Sequence, residues 1–298
     1  MVLSVLFQEV IIVEVLKVIN NNIVSALDEN NEEVIVMGKG LGYRVKLGQP
    51  ISEGKIEKMF RLNNPDTTDR FQKMMKKMPM EHLETSVEII EYAKRIIQQK
   101  MNPNIYITLT DHINFAISRK KAGLIFPNQL LWETKVFYPS EYMIGEYAVS
   151  LIKKRLKVEF GQDEAASIAL HIVNAEYDTS INNTMKITST IREALEIVEE
   201  HLGKKLDEDS LHYSRMVTHL KFFVHRVFSD KVLSNDEEEL GLLIKKLYPS
   251  EYECGKKIVD YIRKKYVDHE ISQDEILYLA LHIRRVHAEI NDDVASGK

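Results

Sequence analysis

The chain has 298 residues, 44% of them hydrophobic and 29% charged, enough for roughly two or three packed domains and too apolar for wholesale disorder. Its net charge of −5 gives no global pull toward nucleic acid, so any such binding must come from a local site. The single cysteine, Cys254, excludes an internal disulfide and a cysteine zinc site, and reads as a packed small hydrophobe in a chain without redox staples.

The first 19 residues are apolar, but Gln8, Glu9, Glu14 and Lys17 interrupt them, so the run falls short of the ~18 uncharged residues a membrane helix needs. There is no basic start and no small-residue cleavage site, so a secretory signal is not expected. Residues 10–19 are rich in Val and Ile and predict a strand. Further Val/Ile runs follow at Ile23–Leu27, Val34–Met37 and Tyr43–Leu47, with Asp28-Glu29-Asn30-Asn31 as a turn and five glycines between Gly38 and Gly54. This predicts a small all-β domain of about four antiparallel strands. A unit of ~50 residues buries little core alone, so dimerisation is the expected remedy.

From about residue 68 the apolar period becomes helical. Val87, Ile90, Ala93 and Ile97 share one face, as do Ile191, Leu195, Val198 and Leu202 further on. The second half repeats the first. Tyr138-Pro139-Ser140-Glu141-Tyr142 recurs unchanged as Tyr248-Pro249-Ser250-Glu251-Tyr252, and Ala169-Leu170-His171-Ile172 recurs as Ala280-Leu281-His282-Ile283. A period near 110 residues suits a duplicated small domain rather than a solenoid unit. Two homologous all-α helical bundles are therefore expected, joined by a polar linker at 177–186.

Each copy holds two histidines in matching places, His112 and His171, then His219 and His282. A single histidine beside an apolar stripe ordinarily serves packing. Here His201, His212, His225, His269 and His287 have no counterpart in the first copy, and His82 none in the second, so the matching is selective. A neutral imidazole is both a good ligand and a good nucleophile near pH 7, leaving a metal site or a phosphoryl acceptor. A metal would want a third ligand, but Asp111 beside His112 is replaced by Thr218 beside His219. A phosphoryl acceptor needs only an accessible ring nitrogen, and gains about two negative charges.

In the β unit, strand one ends in Asn20-Asn21-Asn22, and Gly38-Lys39-Gly40-Leu41-Gly42-Tyr43-Arg44 forms a glycine-rich turn. These are hairpin turns on one reading and an RNA site on the other: amides for base edges and 2′-OH groups, Tyr for stacking, Lys and Arg for phosphate. Residues 14–62 carry seven basic and seven acidic side chains, so a binder here must read shape rather than attract by charge. A phosphate-binding P-loop is excluded because no Gly-Lys-Ser/Thr follows.

The motifs Lys17-Val18-Ile19-Asn20-Asn21-Asn22-Ile23, Val36-Met37-Gly38-Lys39-Gly40-Leu41-Gly42, Leu109-Thr110-Asp111-His112-Ile113-Asn114-Phe115-Ala116, Leu131-Trp132-Glu133-Thr134-Lys135, Ala169–Glu176 and Thr218–Phe223 stand in the order found in one family. From about Leu16 to Ile290 the chain resembles the BglG/SacY-type transcriptional antiterminators of bacterial sugar operons, with β-glucoside operon members nearest. The resemblance implies an extension at 1–13, a co-antiterminator RNA-binding domain at 14–66, phosphotransferase regulation domains (PRDs) at 67–178 and 179–291, and a tail at 292–298. It implies a cytoplasmic homodimer that grips an RNA hairpin overlapping an intrinsic terminator, so that transcription proceeds. The matching RNA-binding positions are Asn20, Asn22, Gly38, Lys39, Gly40, Gly42, Tyr43 and Arg44. It further implies that a sugar-specific enzyme II phosphorylates His112 and His171 and inactivates the protein, while HPr phosphorylates His219 and His282 and favours the active dimer. No enzymatic activity, cofactor, metal, DNA or stable membrane insertion is expected. Tyr43 stands where the family usually has Phe, and residues 1–13 precede its usual start. A PRD-containing DNA-binding activator would need a helix-turn-helix that residues 14–62 lack, and a metal-dependent hydrolase is the remaining rival.

Overall fold

The computed structural model describes residues 13–61, 65–76, 78–124, 126–229, 238–266 and 271–296. They fall into two compact units, one within Met1–Ile125 and Tyr147–Glu159, the other within Phe126–Glu146 and Phe160–Lys298.

The first unit opens with an antiparallel sheet of Val13–Asn20 (β1), Ile23–Leu27 (β2), Glu33–Met37 (β3), Pro50–Ile51 (β4) and Lys58–Arg61 (β5), in the order β4-β1-β2-β3-β5. The Asp28–Asn31 turn forms as its composition predicts: Asp28 Oδ1 accepts the N–H groups of Asn30 and Glu32 at 2.9 and 3.1 Å, and Asn31 adopts φ 60°. The sheet has five strands rather than about four, and the run Tyr43–Leu47 is not one of them. Tyr43 N–H turns back to the Gly40 carbonyl at 3.0 Å, and Arg44 sits at φ 57°, a left-handed conformation that no strand tolerates. The chain rejoins the sheet at β4, whose Ile51 pairs with Val13.

β2 and β3 are buried on both faces. On one side Val13, Val15, Val24, Ala26, Val34 and Val36 pack with Leu41 and Ile51. On the other, Phe60 of β5 meets Phe71 of Pro65–Met75 (α1) with ring centroids 5.4 Å apart. It also meets Tyr106 of Ile105–Lys121 (α3) edge-on at 4.9 Å. Met80–Ile96 (α2) packs on α3, and its Glu91 accepts from Lys58 of β5 and from the Tyr106 hydroxyl, both at 2.5 Å. Those donors outweigh the cost of burial and hold the Glu91 carboxyl down at about 2.

The second unit is helical: Leu131–Phe137 (α4), the start of Pro139–Leu156 (α5), Gln162–Glu176 (α6), Ile181–Leu202 (α7), Leu211–Phe228 (α8), Glu238–Leu247 (α9), Pro249–Lys265 (α10) and Asp274–Ser296 (α11). The duplicated Tyr-Pro-Ser-Glu-Tyr opens α5 and α10, with proline where a helix has no N–H to lose. The linker expected at 177–186 shrinks to Tyr177–Ser180, because the Ser180 hydroxyl accepts the Asn183 N–H at 3.2 Å and starts α7 early.

The glutamate of the duplicated motif is buried both times, Glu141 and Glu251. His287, which bonds Glu251 at 2.8 Å, stands at the position that Glu176 occupies in the first copy, an offset of 111. Burial and then the hydrogen bond from Glu141 push the Glu176 carboxyl well above the usual range, so this pair shares a proton. Glu251, with His287 and Arg284 beside it, is held low instead, against the cost of burial.

A native state that keeps a proton on Glu176 loses stability as pH rises above the ordinary carboxylate value of 4.5, because only the unfolded chain releases it freely. Glu176→Gln should therefore gain on wild type, by on the order of 1–2 kcal/mol between pH 5 and 8 after solvent screening. Urea titrations across that range measure the difference, and parallel curves would contradict it.

Candidate functional site

β1 and β2 are joined through Asn21 and Asn22, with Asn20 opposite Ile23 and a bulge before it. Asn20 Oδ1 accepts the Asn22 N–H at 2.9 Å, an Asx turn that closes the loop on itself. The glycine-rich segment then docks on this loop through alternate residues. Gly38 N–H donates to the Asn22 carbonyl at 2.9 Å, Gly40 N–H to Asn22 Oδ1 at 2.7 Å, and Gly42 N–H to the Asn21 carbonyl at 2.9 Å. The approach is too close for side chains: a Cβ on Gly42 would lie 2.1 Å from the Asn20 carbonyl oxygen, and one on Gly38 would lie 1.9 Å from that of Lys55. The glycine spacing is thus the spacing of three N–H donors along one tightly turning segment, in which Gly40 takes φ 67°.

All eight sequence-predicted residues of this site lie in the two interlocked loops. Lys39 is exposed, Tyr43 is 60% exposed, and the Arg44 guanidinium lies 5.1 Å from the Tyr43 ring centroid. A ring offered to solvent beside a guanidinium is a stacking platform for an unpaired base. Asn20 does more than expected from sequence. Its Nδ2 donates to the Met75 carbonyl at the end of α1, 3.1 Å away, so its amide braces the loop against a helix. Lys17 Nζ reaches Gln72 Oε1 of α1 at 3.0 Å, and Gln72 Nε2 reaches Glu33 at 2.8 Å. No periodicity in the sequence marked Gln72 or Met75 as partners of the loop.

The four matched histidines fall on helices as predicted. His112 lies half-buried on α3 in the first unit, and His171 half-buried on α6 in the second. His219 of α8 and His282 of α11 come together, their rings stacked with centroids 4.4 Å apart and planes 23° from parallel. Burial first, then the His282 and Arg226 charges, depress the His219 pKa to about 3, and its Nε2 is buried with no hydrogen-bond partner among the described residues. Burial, with Arg285 and Arg215, also lowers His282. Two neutral imidazoles therefore face an open cleft of about 380 Å³ lined by Ser214, Arg215, Thr218, His219, Phe222 and His282. A neutral ring keeps an unprotonated nitrogen, the form that attacks phosphorus or binds a metal.

Four of the unmatched histidines have structural partners. His82 Nδ1 bonds Asn114 at 2.8 Å, His225 stacks on Tyr177 at 3.8 Å, His201 bonds Ser250 at 3.1 Å, and His287 bonds Glu251. His269 lies outside the described residues. Among the described residues no cluster of three or more His, Cys, Asp or Glu side chains is placed to hold a metal, and no helix is long and apolar enough to cross a membrane.

The family profile described as CAT RNA binding domain matches residues 13–69, and that described as PRD domain matches twice, at 87–175 and 192–286. The chain is similar to the transcription antiterminator LicT of Bacillus subtilis strain 168, with 45% identity over 92% of this chain and 98% of that protein. It is also similar to the beta-glucoside operon antiterminator of Dickeya chrysanthemi, with 38% identity over 95% and 99%. Among solved structures, the crystal structure of GlcT CAT-PRDI superposes with a TM-score of 0.51 at 32% identity, covering 55% of this chain and 98% of that one.

The stacked histidines generate a measurable outcome. In a proton NMR titration from pH 8 to 5, the His219 ring signal should stay flat, where histidine in a model peptide shifts with a midpoint near 6.5. A His219 midpoint above pH 6 would contradict the buried neutral ring.

Proposed function

The chain belongs to the transcription antiterminators built from a CAT RNA-binding domain and PRD domains, and from that premise we propose that it is the RNA-binding switch of a β-glucoside operon. It is a regulator rather than an enzyme, and it acts in the cytoplasm. In this reading residues 14–66 form the RNA-binding domain, 67–178 and 179–291 the two regulation domains, 292–298 a tail, and 1–13 an extension. A homodimer holds a leader hairpin that overlaps an intrinsic terminator, and by holding it keeps the terminator from forming.

The observation that carries this reading is the interlocked loop pair. Three backbone donors fix its shape, and it presents Lys39, Tyr43 and Arg44 to solvent. Rigid presentation is what a site with no net charge needs, since specificity must then come from fit. Asn22 supports it twice, through its carbonyl and its side-chain oxygen. Its Nδ2 donates to no protein group among the described residues, which leaves a donor for RNA.

Control is assigned to the matched histidines. A sugar-specific enzyme II phosphorylates His112 and His171 when the sugar is absent and inactivates the protein. HPr phosphorylates His219 and His282 and favours the active dimer. The neutral stacked rings of the second pair support acceptance of a phosphoryl group at physiological pH.

The test is a gel shift of the purified protein against the hairpin upstream of its neighbouring sugar genes, before and after incubation with enzyme I, HPr and phosphoenolpyruvate. Wild type should bind, and phosphorylation should change the affinity. Asn22→Ala should weaken binding roughly fivefold to thirtyfold, as expected for losing about 1–2 kcal/mol with the side-chain hydrogen bond to Gly40, with helical content unchanged by circular dichroism. Wild-type affinity in that variant would refute the assigned loop.

A further inference from the structure

We infer that the cleft between α8 and α11 is a phosphoryl-holding site, in which the guanidiniums of Arg215 and Arg285 grip the group carried by His219 or His282. The inference rests on the reading of those histidines as phosphoacceptors, and adds what keeps the group in place.

Three arginines surround the stacked rings, and they are not equivalent. Arg226 is already committed: its Nε and one terminal nitrogen bond both oxygens of the buried Glu275 at 2.9 and 2.8 Å. That bidentate pair occupies its guanidinium and joins α8 to α11. Arg215 and Arg285 are exposed and make no ion pair with any described residue. Arg215 lines the cleft itself, one turn before His219 on the same helix. Arg285 follows His282 by three residues on α11, so the two share a face. Both charges are felt at the His282 ring, where they oppose its protonation.

Two uncompensated guanidiniums beside two neutral imidazoles form a poor site for a cation and a good one for an anion. A phosphoryl group brings about two negative charges and three acceptor oxygens, which match the fork of a guanidinium. The transfer balances. An unprotonated ring nitrogen attacks phosphorus, the new P–N bond forms as the donor's P–N bond breaks, and the leaving donor nitrogen takes the electron pair and the proton shed by the acceptor ring. The product has a dianion where the free protein has none, and Arg215 and Arg285 meet that charge without rearranging the Arg226–Glu275 pair.

The other copy lacks these residues. At the matching offsets of 107 and 111, Thr108 stands for Arg215 and Asn174 for Arg285. Arg226 and Glu275, by contrast, recur in residue type as Arg119 and Glu164. Duplication thus left these two residue types in both copies and the two spare cations in one. A phosphoryl group on the second pair is held by charge, whereas one on His112 or His171 lacks these two partners.

The experiment uses the full-length protein and potassium phosphoramidate, a small P–N donor that needs no docking surface. After labelling and removal of the donor, the lifetime of phosphohistidine on each peptide is followed at pH 8 by mass spectrometry. Wild type, the Arg215→Gln/Arg285→Gln double variant and the Arg215→Lys/Arg285→Lys double variant are compared. The Gln variant should lose the label on His219 and His282 about tenfold faster, on the scale of one or two charge-assisted hydrogen bonds. The lifetime on His112 and His171 should not move, which also reports that the fold is intact. The Lys variant should retain most of the wild-type lifetime. Equal lifetimes in wild type and the Gln variant would overturn the grip while leaving the acceptor reading in force. Wild type that labels elsewhere but never on His219 or His282 would overturn the acceptor reading itself.

Discussion

A five-stranded sheet of fewer than fifty residues has two apolar faces and too little chain to cover both. Everything in the first unit follows from how the second face is closed. One face is filled from within the sheet domain, by Leu41 and Ile51 against the valines of β1 to β3. The other is closed by helices, with Phe60 set between Phe71 and Tyr106. Aromatic rings bury large areas with few rotors to order, so two contacts of this kind suffice to seat α1 and α3 on the sheet. Once seated, α1 ends where its Met75 carbonyl can take the Asn20 amide, and the loop that offers Lys39 and Tyr43 is tied to a helix. The same closure brings Glu91 of α2 to Lys58 of β5 and to Tyr106, six residues before His112 on α3. The sheet cannot lose its helical cover without also releasing a brace of its proposed binding loop.

The duplication shows how one scaffold carries two electrostatic designs. The motif glutamate is buried in both copies, and what it meets differs by one substitution. Glu176 makes the pair share a proton, whereas His287 offers the glutamate a ring nitrogen at 2.8 Å. Lys221 lies near the first pair, donates to the Phe137 carbonyl at 2.8 Å, and has its own pKa lowered by burial. A buried amine that spends a proton on a carbonyl, close to two carboxyls with one proton between them, resists being charged in any other combination.

Much of this was legible in the sequence, and the reasons are specific. β1 to β3 were readable because their Val/Ile runs are bounded by Asn and Asp turns. The histidine helices were readable because their apolar residues keep a period of 3.6 and the motif occurs twice. Tyr43–Leu47 misled because its alternation is that of a strand, whereas Arg44 takes a left-handed conformation that residue type alone does not announce. The linker at 177–186 misled because its polar residues start a helix, with Ser180 as the cap. The match of Glu176 to His287 was visible as an offset but carried no meaning until the partners Glu141 and Glu251 were seen to be buried. Gln72 and Met75 had no signal, since a backbone carbonyl leaves no trace in residue identity.

The neutral charge balance of the RNA-binding domain finally bears on how its control can work. A binder that relies on a diffuse cationic surface can be weakened only by adding negative charge near that surface, because affinity then follows counterion release. A binder with seven cations and seven anions has little such affinity to lose. The proposed site is instead the shape of two loops held by Gly38, Gly40, Gly42 and the asparagines, and shape can be changed from behind. The brace from Asn20 to α1 and the Lys17–Gln72–Glu33 chain supply that route, running from the loop to a helix on the face away from solvent. A regulatory charge on the helical repeats therefore need not approach the RNA.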